Sequence, residues 1–216
     1  MTDVLDLPCA AVLFDVDGTL VDSTPLVEAA AHEWAAEYGI DPVRFLEGAH
    51  GRRTSDRIAE FLPPDRVRAA TARLDELEAS RSDGVAALPN AVGLLASLDG
   101  LPWAVVTSMD RGALLQRTGA AGVPLPRVVV TAEEVERGKP DPAGYLLAAR
   151  RLGVDPARCV VVEDAPAGVR AGRAAGAAVL AVATSHPAAE LAEADVVVPD
   201  LTAVTAVPGG LRVAVR

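Results

Sequence analysis

With 216 residues, half of them hydrophobic, the chain suits one domain, or a core with a small inserted unit, and can bury a sizeable interior. A formal net charge of −10 argues against nucleic acid or an anionic membrane surface as partner, and it disfavours long-range attraction of a phosphorylated ligand, so any anion site has to be made locally. The acidic start (Asp3, Asp6) does not read as a signal peptide, and no apolar run approaches the ~20 residues of a bilayer span, so a cytoplasmic protein, a monomer or weak dimer, is expected.

In chain order, the first apolar run, Ala10 to Phe14, predicts a buried strand. It leads into Phe14-Asp15-Val16-Asp17-Gly18-Thr19-Leu20-Val21-Asp22-Ser23, where Gly18 permits a sharp turn at the strand end. The carboxyl ends of strands are where α/β sheets bind ligands, and paired acids there are costly unless they hold a metal or do chemistry. The stretch from Thr24 to Leu88 has no Val-rich run. Thr24-Pro25 predicts the start of a helix through Tyr38, and shorter helices are expected over 53–61 and 65–80, divided by Pro63-Pro64. Trp34 and Tyr38 fall on one apolar helical face, which predicts core packing among these helices. Arg53 and Arg57, four apart on the next helix, are expected to face solvent.

From there, short Val-rich runs alternate with Ala-rich helical stretches. Strands are expected over 103–107, 128–130, 159–162, 179–182 and 196–198, and a short extra one over 211–215. Their apolar character predicts burial on both faces, hence a parallel sheet with right-handed crossovers. Asp110 is placed to cap a helix running to about Ala120, and Asp141-Pro142 reads as N-cap and first helical residue. Gly153 and Gly176 sit where helices should stop. Gly168, Gly172 and Gly176 are read as close helix–sheet contact and a cap, not as a phosphate loop. Cys9 and Cys159 adjoin expected strands and read as small core residues. His32 and His186 read as ordinary surface or helix residues.

Four pieces in this order carry a resemblance: the first string, Val105-Val106-Thr107-Ser108, Gly138-Lys139-Pro140-Asp141-Pro142, and Val162-Glu163-Asp164-Ala165-Pro166-Ala167-Gly168. Together they resemble the haloacid dehalogenase-like superfamily of phosphohydrolases over nearly the whole chain, more weakly after about Pro199. The resemblance implies an α/β fold, a Rossmann-like parallel sheet core flanked by helices (residues 1–22 and 89–216), with an inserted small all-helical cap (residues 23–88). It implies that Asp15 is the nucleophile and Asp17 the general acid/base, and that Lys139 neutralises charge. Thr107 and Ser108 would bind the phosphoryl group. Mg²⁺ would be held by Asp15, the main-chain carbonyl of Asp17 and Asp164, with Glu163 as a further ligand or ligand support. The chemistry agrees with these roles. An Asp is ionised at neutral pH and needs no base to attack phosphorus. A general acid at Asp17 must be neutral for part of the cycle. Hard oxygen donors suit Mg²⁺ rather than Zn²⁺. Adjacent acids at a strand end repel unless a cation lies between them.

The segment His50-Gly51-Arg52-Arg53-Thr54-Ser55-Asp56 resembles the substrate-specificity loop of the subgroup that includes glycerol-3-phosphate and 2-deoxyglucose-6-phosphate phosphatases. His50, Gly51 and Arg52 are therefore expected at the substrate, a small phosphorylated metabolite such as a polyol or sugar phosphate. Within the superfamily, a β-phosphoglucomutase is disfavoured by Gly51-Arg52-Arg53-Thr54, a haloacid dehalogenase by Asp17, and a phosphonate hydrolase by the absence of Lys from Thr24 to Leu88. A phosphoglycolate phosphatase remains an alternative. In a different class, a receiver-like phospho-acceptor module shares the sheet and acid cluster but not the helical insert.

Overall fold

A computed structural model describes residues 3–215. Its elements begin with β1 (Asp3–Pro8), β2 (Ala11–Phe14) and β3 (Val21–Asp22), followed by four helices, α1 (Thr24–Tyr38), α2 (Pro42–Leu46), α3 (Thr54–Ile58) and α4 (Pro64–Ala79). Next come β4 (Ala86–Ala87), α5 (Ala91–Ala96), β5 (Trp103–Val106), α6 (Arg111–Ala121), β6 (Val128–Val130) and α7 (Ala143–Leu152). The chain ends with β7 (Cys159–Glu163), α8 (Pro166–Ala174), β8 (Ala178–Val182), β9 (Val196–Val198), β10 (Val204–Val207) and β11 (Gly210–Val215).

The main sheet is six-stranded and parallel, in the order β6-β5-β2-β7-β8-β9. Its strands alternate between two buried layers. Val12, Phe14, Val105, Val160 and Val162 meet Leu94 of α5 and Leu114 of α6 on one face. Ala11, Leu13, Ala104 and Val161 meet Tyr145 and Ala148 of α7 and Val169 of α8 on the other. Burial on both faces explains why these strands are uniformly apolar. Each expected strand of this sheet is present to within one residue at either end. From β2 the chain adds β5 and β6 on one side and then returns to add β7 on the other. The switch in direction therefore falls at β2, and such a switch opens a crevice beyond the strand ends. Phe14 pairs with Val105 on one side and Val162 on the other, so the residues after all three emerge together.

The inserted helices have a core of their own. Trp34 is fully buried, stacks on Tyr38 at 4.7 Å, packs against the tilted Phe45 ring at 4.6 Å, and donates its indole N–H to the Ala70 carbonyl at 2.8 Å. Ile58, Leu74 and Leu77 complete the cluster. The short antiparallel pair of β3 and β4 (Val21 with Ala87, Asp22 with Ala86) gathers the two chain crossings at the base of the insertion.

Several local expectations need correction. The helix expected over 53–61 is only Thr54–Ile58, and α2 was not expected. Arg57 is not solvated: it is nearly buried, donating to the Phe45 and Arg44 carbonyls and pairing with Glu60. At α7 the cap shifts by one residue. Pro142 is the N-cap, while the Asp141 carboxylate accepts from Ala143 N–H at 3.0 Å, an Asx turn that precedes the helix. Gly153 and Gly176 do end their helices in left-handed conformations (φ 73° and 84°). The extra C-terminal strand is β11, and it pairs with the unexpected β1 as well as with β10. No described helix is long and apolar enough to cross a membrane.

Candidate active site

Asp15 leaves β2 with its N–H bonded to the Val162 carbonyl at 3.0 Å, so the sheet register still governs its position. The chain then turns tightly, with the Val16 carbonyl accepting from the N–H groups of Thr19, Leu20 and Val21. Gly18 has φ 79°, and a Cβ there would overlap the Asp164 carboxyl, so only glycine lets this turn approach the end of β7.

Carboxylate oxygens of Asp15, Glu163 and Asp164 lie within 4.8 Å of one another, and all three residues are buried. Lys139 enters from the loop before α7. Its ammonium donates to Asp15 Oδ1, pairs with Glu163 Oε1 at 2.6 Å and reaches the Val106 carbonyl at 3.3 Å. Glu163 is further fixed by the Tyr145 hydroxyl at 2.6 Å and by Asp164 N–H at 3.1 Å. Asp164 accepts from Ser185 Oγ and, at 3.5 Å, from Thr19 Oγ1. Three buried carboxylates thus share one ammonium, which leaves a deficit of positive charge. Burial, reinforced by Glu163 and Asp17 and opposed by Lys139, pushes the Asp15 carboxyl up to about 8. Burial and then Asp15 push Asp164 well above the carboxylate range. For Lys139, burial opposes the charge, but Asp15 and Glu163 outweigh it and hold the ammonium above its ordinary range. An all-oxygen, over-acidic buried cluster of this kind fits a hard divalent cation.

A pH dependence follows. The folded-state value of Asp15 lies above its unfolded value near ~4, so its contribution to stability is complete below about pH 4 and is lost as pH rises toward about 8. Asp164 acts in the same direction. In chelator, the thermal midpoint should fall as pH rises through that window, and a divalent cation should reverse the fall by binding the ionised cluster. A midpoint that ignores both pH and cation would overturn this account.

Asp17 lies at the mouth of the crevice. Its Oδ1 accepts from Ser23 Oγ at 2.8 Å and its Oδ2 from Arg117 of α6, whose other terminal nitrogen pairs with Glu78 of α4. For Arg117, burial opposes the charge, but Asp17 and Glu78 outweigh it and raise its pKa. Burial, assisted by Asp17 and Asp75 against the pull of Arg117, pushes Glu78 up to about 7. Thr107, at the end of β5, gives its N–H to Val130 and accepts from Met109 N–H with its hydroxyl.

The loop before α3 seats on these strand ends. Ser108 Oγ donates to the Gly51 carbonyl at 2.9 Å, and Gly51 (φ 73°) approaches Ala165 so closely that a Cβ would stand 2.8 Å from the alanine methyl. Arg53 donates to the carbonyls of Ala132, Val135 and Glu136, and Arg52 pairs with Glu60 at 2.6 Å. A cavity of about 230 Å³ remains between the inserted helices and the sheet. Asp15, Asp17, Thr107 and Ser108 line it from the core, and His50, Gly51 and Arg52 from the loop before α3. Its size suits a small metabolite.

The structure brings Asp15, Lys139, Glu163 and Asp164 together, with Asp17, Thr107, Ser108 and the 50–52 loop around one cavity. Sequence reasoning missed Arg117, Glu78, Tyr145 and Ser185. It also misjudged His186, whose Nδ1 lies 2.8 Å from Ser185 Oγ and 3.2 Å from the Asp164 carbonyl, its ring edge-on to His50 at 5.6 Å.

Residues 9–176 match the haloacid dehalogenase-like hydrolase family. The chain belongs to that family. It is 45% identical over 202 residues to hexitol phosphatase A of Escherichia coli (91% of this chain, 94% of the relative). It is 36% identical over 219 residues to 2-deoxyglucose-6-phosphate phosphatase 1 of Saccharomyces cerevisiae (90% of this chain, 89% of the relative). Among solved structures it resembles CbbY from Rhodobacter sphaeroides in complex with xylulose 1,5-bisphosphate, with a TM-score of 0.81, 26% identity and coverage of 93% of this chain and 98% of that one.

In this hydrolase the first turn of α8 also guards the cluster. A Cβ on Gly168 would occupy the space of the Glu163 carboxyl, which is fully buried and held on both oxygens. Gly168→Ala should lower stability by about 2 kcal/mol or more, read from denaturant midpoints, because neither the helix nor the carboxyl can yield.

Proposed function

We propose that this protein is a Mg²⁺-dependent phosphatase that hydrolyses a small polyol or sugar phosphomonoester through an aspartyl-phosphate intermediate. The observation that carries the reading is Asp15, a buried carboxylate held by Lys139 at the switch point of the sheet, lining a cavity with Asp17 two residues on. Similarity to hexitol and 2-deoxyglucose-6-phosphate phosphatases supports the substrate class. Residues 23–88 serve as the cap over a core formed by 1–22 and 89–216.

Burial pushes the Asp15 carboxyl up to about 8, so, unlike the expectation for a free Asp, its ionisation at neutral pH would depend on a cation beside it; once ionised, Asp15 attacks phosphorus and the ester oxygen departs. Lys139 holds Asp15 Oδ1 and leaves the other oxygen for attack, while its charge stabilises the phosphoryl group as negative charge shifts. Thr107 and Ser108 orient the phosphoryl oxygens. Asp17 delivers a proton to the leaving oxygen, then removes one from the water that cleaves the aspartyl-phosphate. Ser23 and Arg117 set the orientation of its carboxylate. Asp15, Asp164 and the main-chain carbonyl of Asp17 would hold Mg²⁺, with Glu163 fixing the site from behind through Lys139 and Tyr145. When bound, the ion supplies the charge that offsets repulsion between carboxylate and phosphate dianion. His50, Gly51 and Arg52, which line the cavity, contribute to substrate selection.

The test is release of free phosphate from glycerol phosphates, hexitol and hexose 6-phosphates, glucose 1-phosphate and phosphoglycolate, with Mg²⁺ and with chelator. Mg²⁺-dependent release that peaks on a polyol or sugar phosphate supports the reading. Isomerised glucose 1-phosphate would indicate a mutase, and a stable phosphoprotein without phosphate release a phospho-acceptor.

A further inference from the structure

The charges around the cavity are already engaged. Four arginines line it. Arg117 is held between Asp17 and Glu78, and Arg52 pairs with Glu60. Arg57 pairs with Glu60 and donates to two backbone carbonyls. Arg53 gives both terminal nitrogens to backbone carbonyls, and its Nε lies against Gly138 without a partner. A second phosphate or a carboxylate on the substrate would enter this space without an available cation, and a buried unpaired charge is strongly unfavourable.

The remaining polar lining is of another kind. Thr54, Ser55 and His50 line the cavity, and their side chains have no hydrogen-bond partner among the described residues. Neither does Asp75, which projects from α4 on the same face as Thr71, Leu74 and Glu78. Burial, then the charge of Asp110, opposed by Arg117, pushes the Asp75 carboxyl up to about 6, as expected for a carboxylate that lacks donors. Asp110 itself is occupied as the cap of α6, accepting from Ala113 N–H at 2.8 Å. Val27, Ala31, Phe45 and Leu46 supply apolar wall against which a carbon chain can lie.

We infer that Asp75 is a specificity-determining residue that accepts hydrogen bonds from the hydroxyls of an uncharged polyol leaving group, in a cavity that rejects substrates bearing a second anionic group. The inference rests on the proposed phosphatase reading and narrows its substrate class. It selects against bisphosphates and phosphorylated carboxylic acids by leaving them without a counter-charge, and for hydroxyl-rich monophosphates by offering an acceptor that has no other donor.

The test compares kcat/KM with Mg²⁺ for a hexitol 6-phosphate, phenyl phosphate, phosphoglycolate and a hexose bisphosphate. The wild-type protein should prefer the hexitol phosphate to the two dianionic-plus-anionic substrates by about 100-fold or more. Asp75→Ala should lower the ratio of hexitol phosphate to phenyl phosphate by about tenfold or more, mainly through KM. Asp75→Asn, which retains an acceptor oxygen, should restore part of that ratio. Asp75→Lys should raise the use of phosphoglycolate and the bisphosphate relative to the hexitol phosphate. Equal wild-type use of singly and doubly anionic substrates, or an Asp75→Ala loss common to hexitol and phenyl phosphates, would overturn the inference while leaving a phosphatase. No release from any substrate would overturn the phosphatase reading itself.

Discussion

Asp15→Asn should remove phosphate release by about 10⁴-fold or more, while the cation-free protein becomes no less stable at neutral pH. An amide has nearly the shape of the carboxylate and fits the same place after β2. It is not a nucleophile toward phosphorus. Stability should be spared because the buried cluster has three carboxylates and one ammonium. With Asp15 pushed up to about 8, its carboxyl is largely neutral there already, so a neutral amide changes the charge of the cluster little, and Lys139 still keeps Glu163. Two measurements decide the matter, the turnover rate with Mg²⁺ and the thermal midpoint in chelator. Divalent-dependent turnover that survived in the variant would remove Asp15 from its assigned role.

Lys139→Met should damage both properties. The lysine is nearly as buried as the acids it joins, and a buried ion pair that loses one partner leaves an uncompensated charge behind. The expected cost is about 3–5 kcal/mol in cation-free protein. Turnover should fall by about 10³-fold, the order of loss when one fixed charge is removed from a transition state. A divalent cation should recover part of the stability, because it supplies charge to the same carboxylates, but little of the turnover. Lys139→Arg should not rescue either property. A planar guanidinium needs more room than the space between Asp15, Glu163 and the Tyr145 ring, which lies 5.4 Å from the ammonium. Equal stability of Lys139→Met and wild type in chelator would contradict the charge balance described here. The two variants make opposite predictions for stability from one cause: the cluster has too many negative charges and one positive charge.

The parallel sheet was legible because strands buried on both faces must be apolar throughout, and Val-rich runs of three to five residues between helix signals have few other uses. Asp15, Asp17, Lys139, Glu163 and Asp164 were legible because each follows such a run or sits in a constrained turn, and because their string resembles a known motif. β1 was not. Its sequence, Asp-Val-Leu-Asp-Leu-Pro, gains its partner only from β11 at the opposite end of the chain, and nothing local announces that pairing. α2, with five residues, is too short to show a period. Arg117 escaped notice because an arginine within an amphipathic helix normally reaches solvent. Only the approach of α4, bringing Glu78, and of the first turn, bringing Asp17, makes it an internal bridge. His186 and Ser185 lie in an unremarkable loop after β8, and what makes them matter is that the parallel sheet ends that loop beside Asp164.

The grip of Arg53 on three carbonyls of the opposing loop has a kinetic meaning. Those bonds, with Ser108 to Gly51, tie the loop before α3 to the loops at the strand ends. Lifting that loop away from the strand ends requires several hydrogen bonds from one guanidinium to part together. Where that movement limits the cycle, it is the same movement whatever alcohol is being released. Saturating rates for good substrates should therefore converge on one ceiling, set by the frequency with which a single arginine lets go.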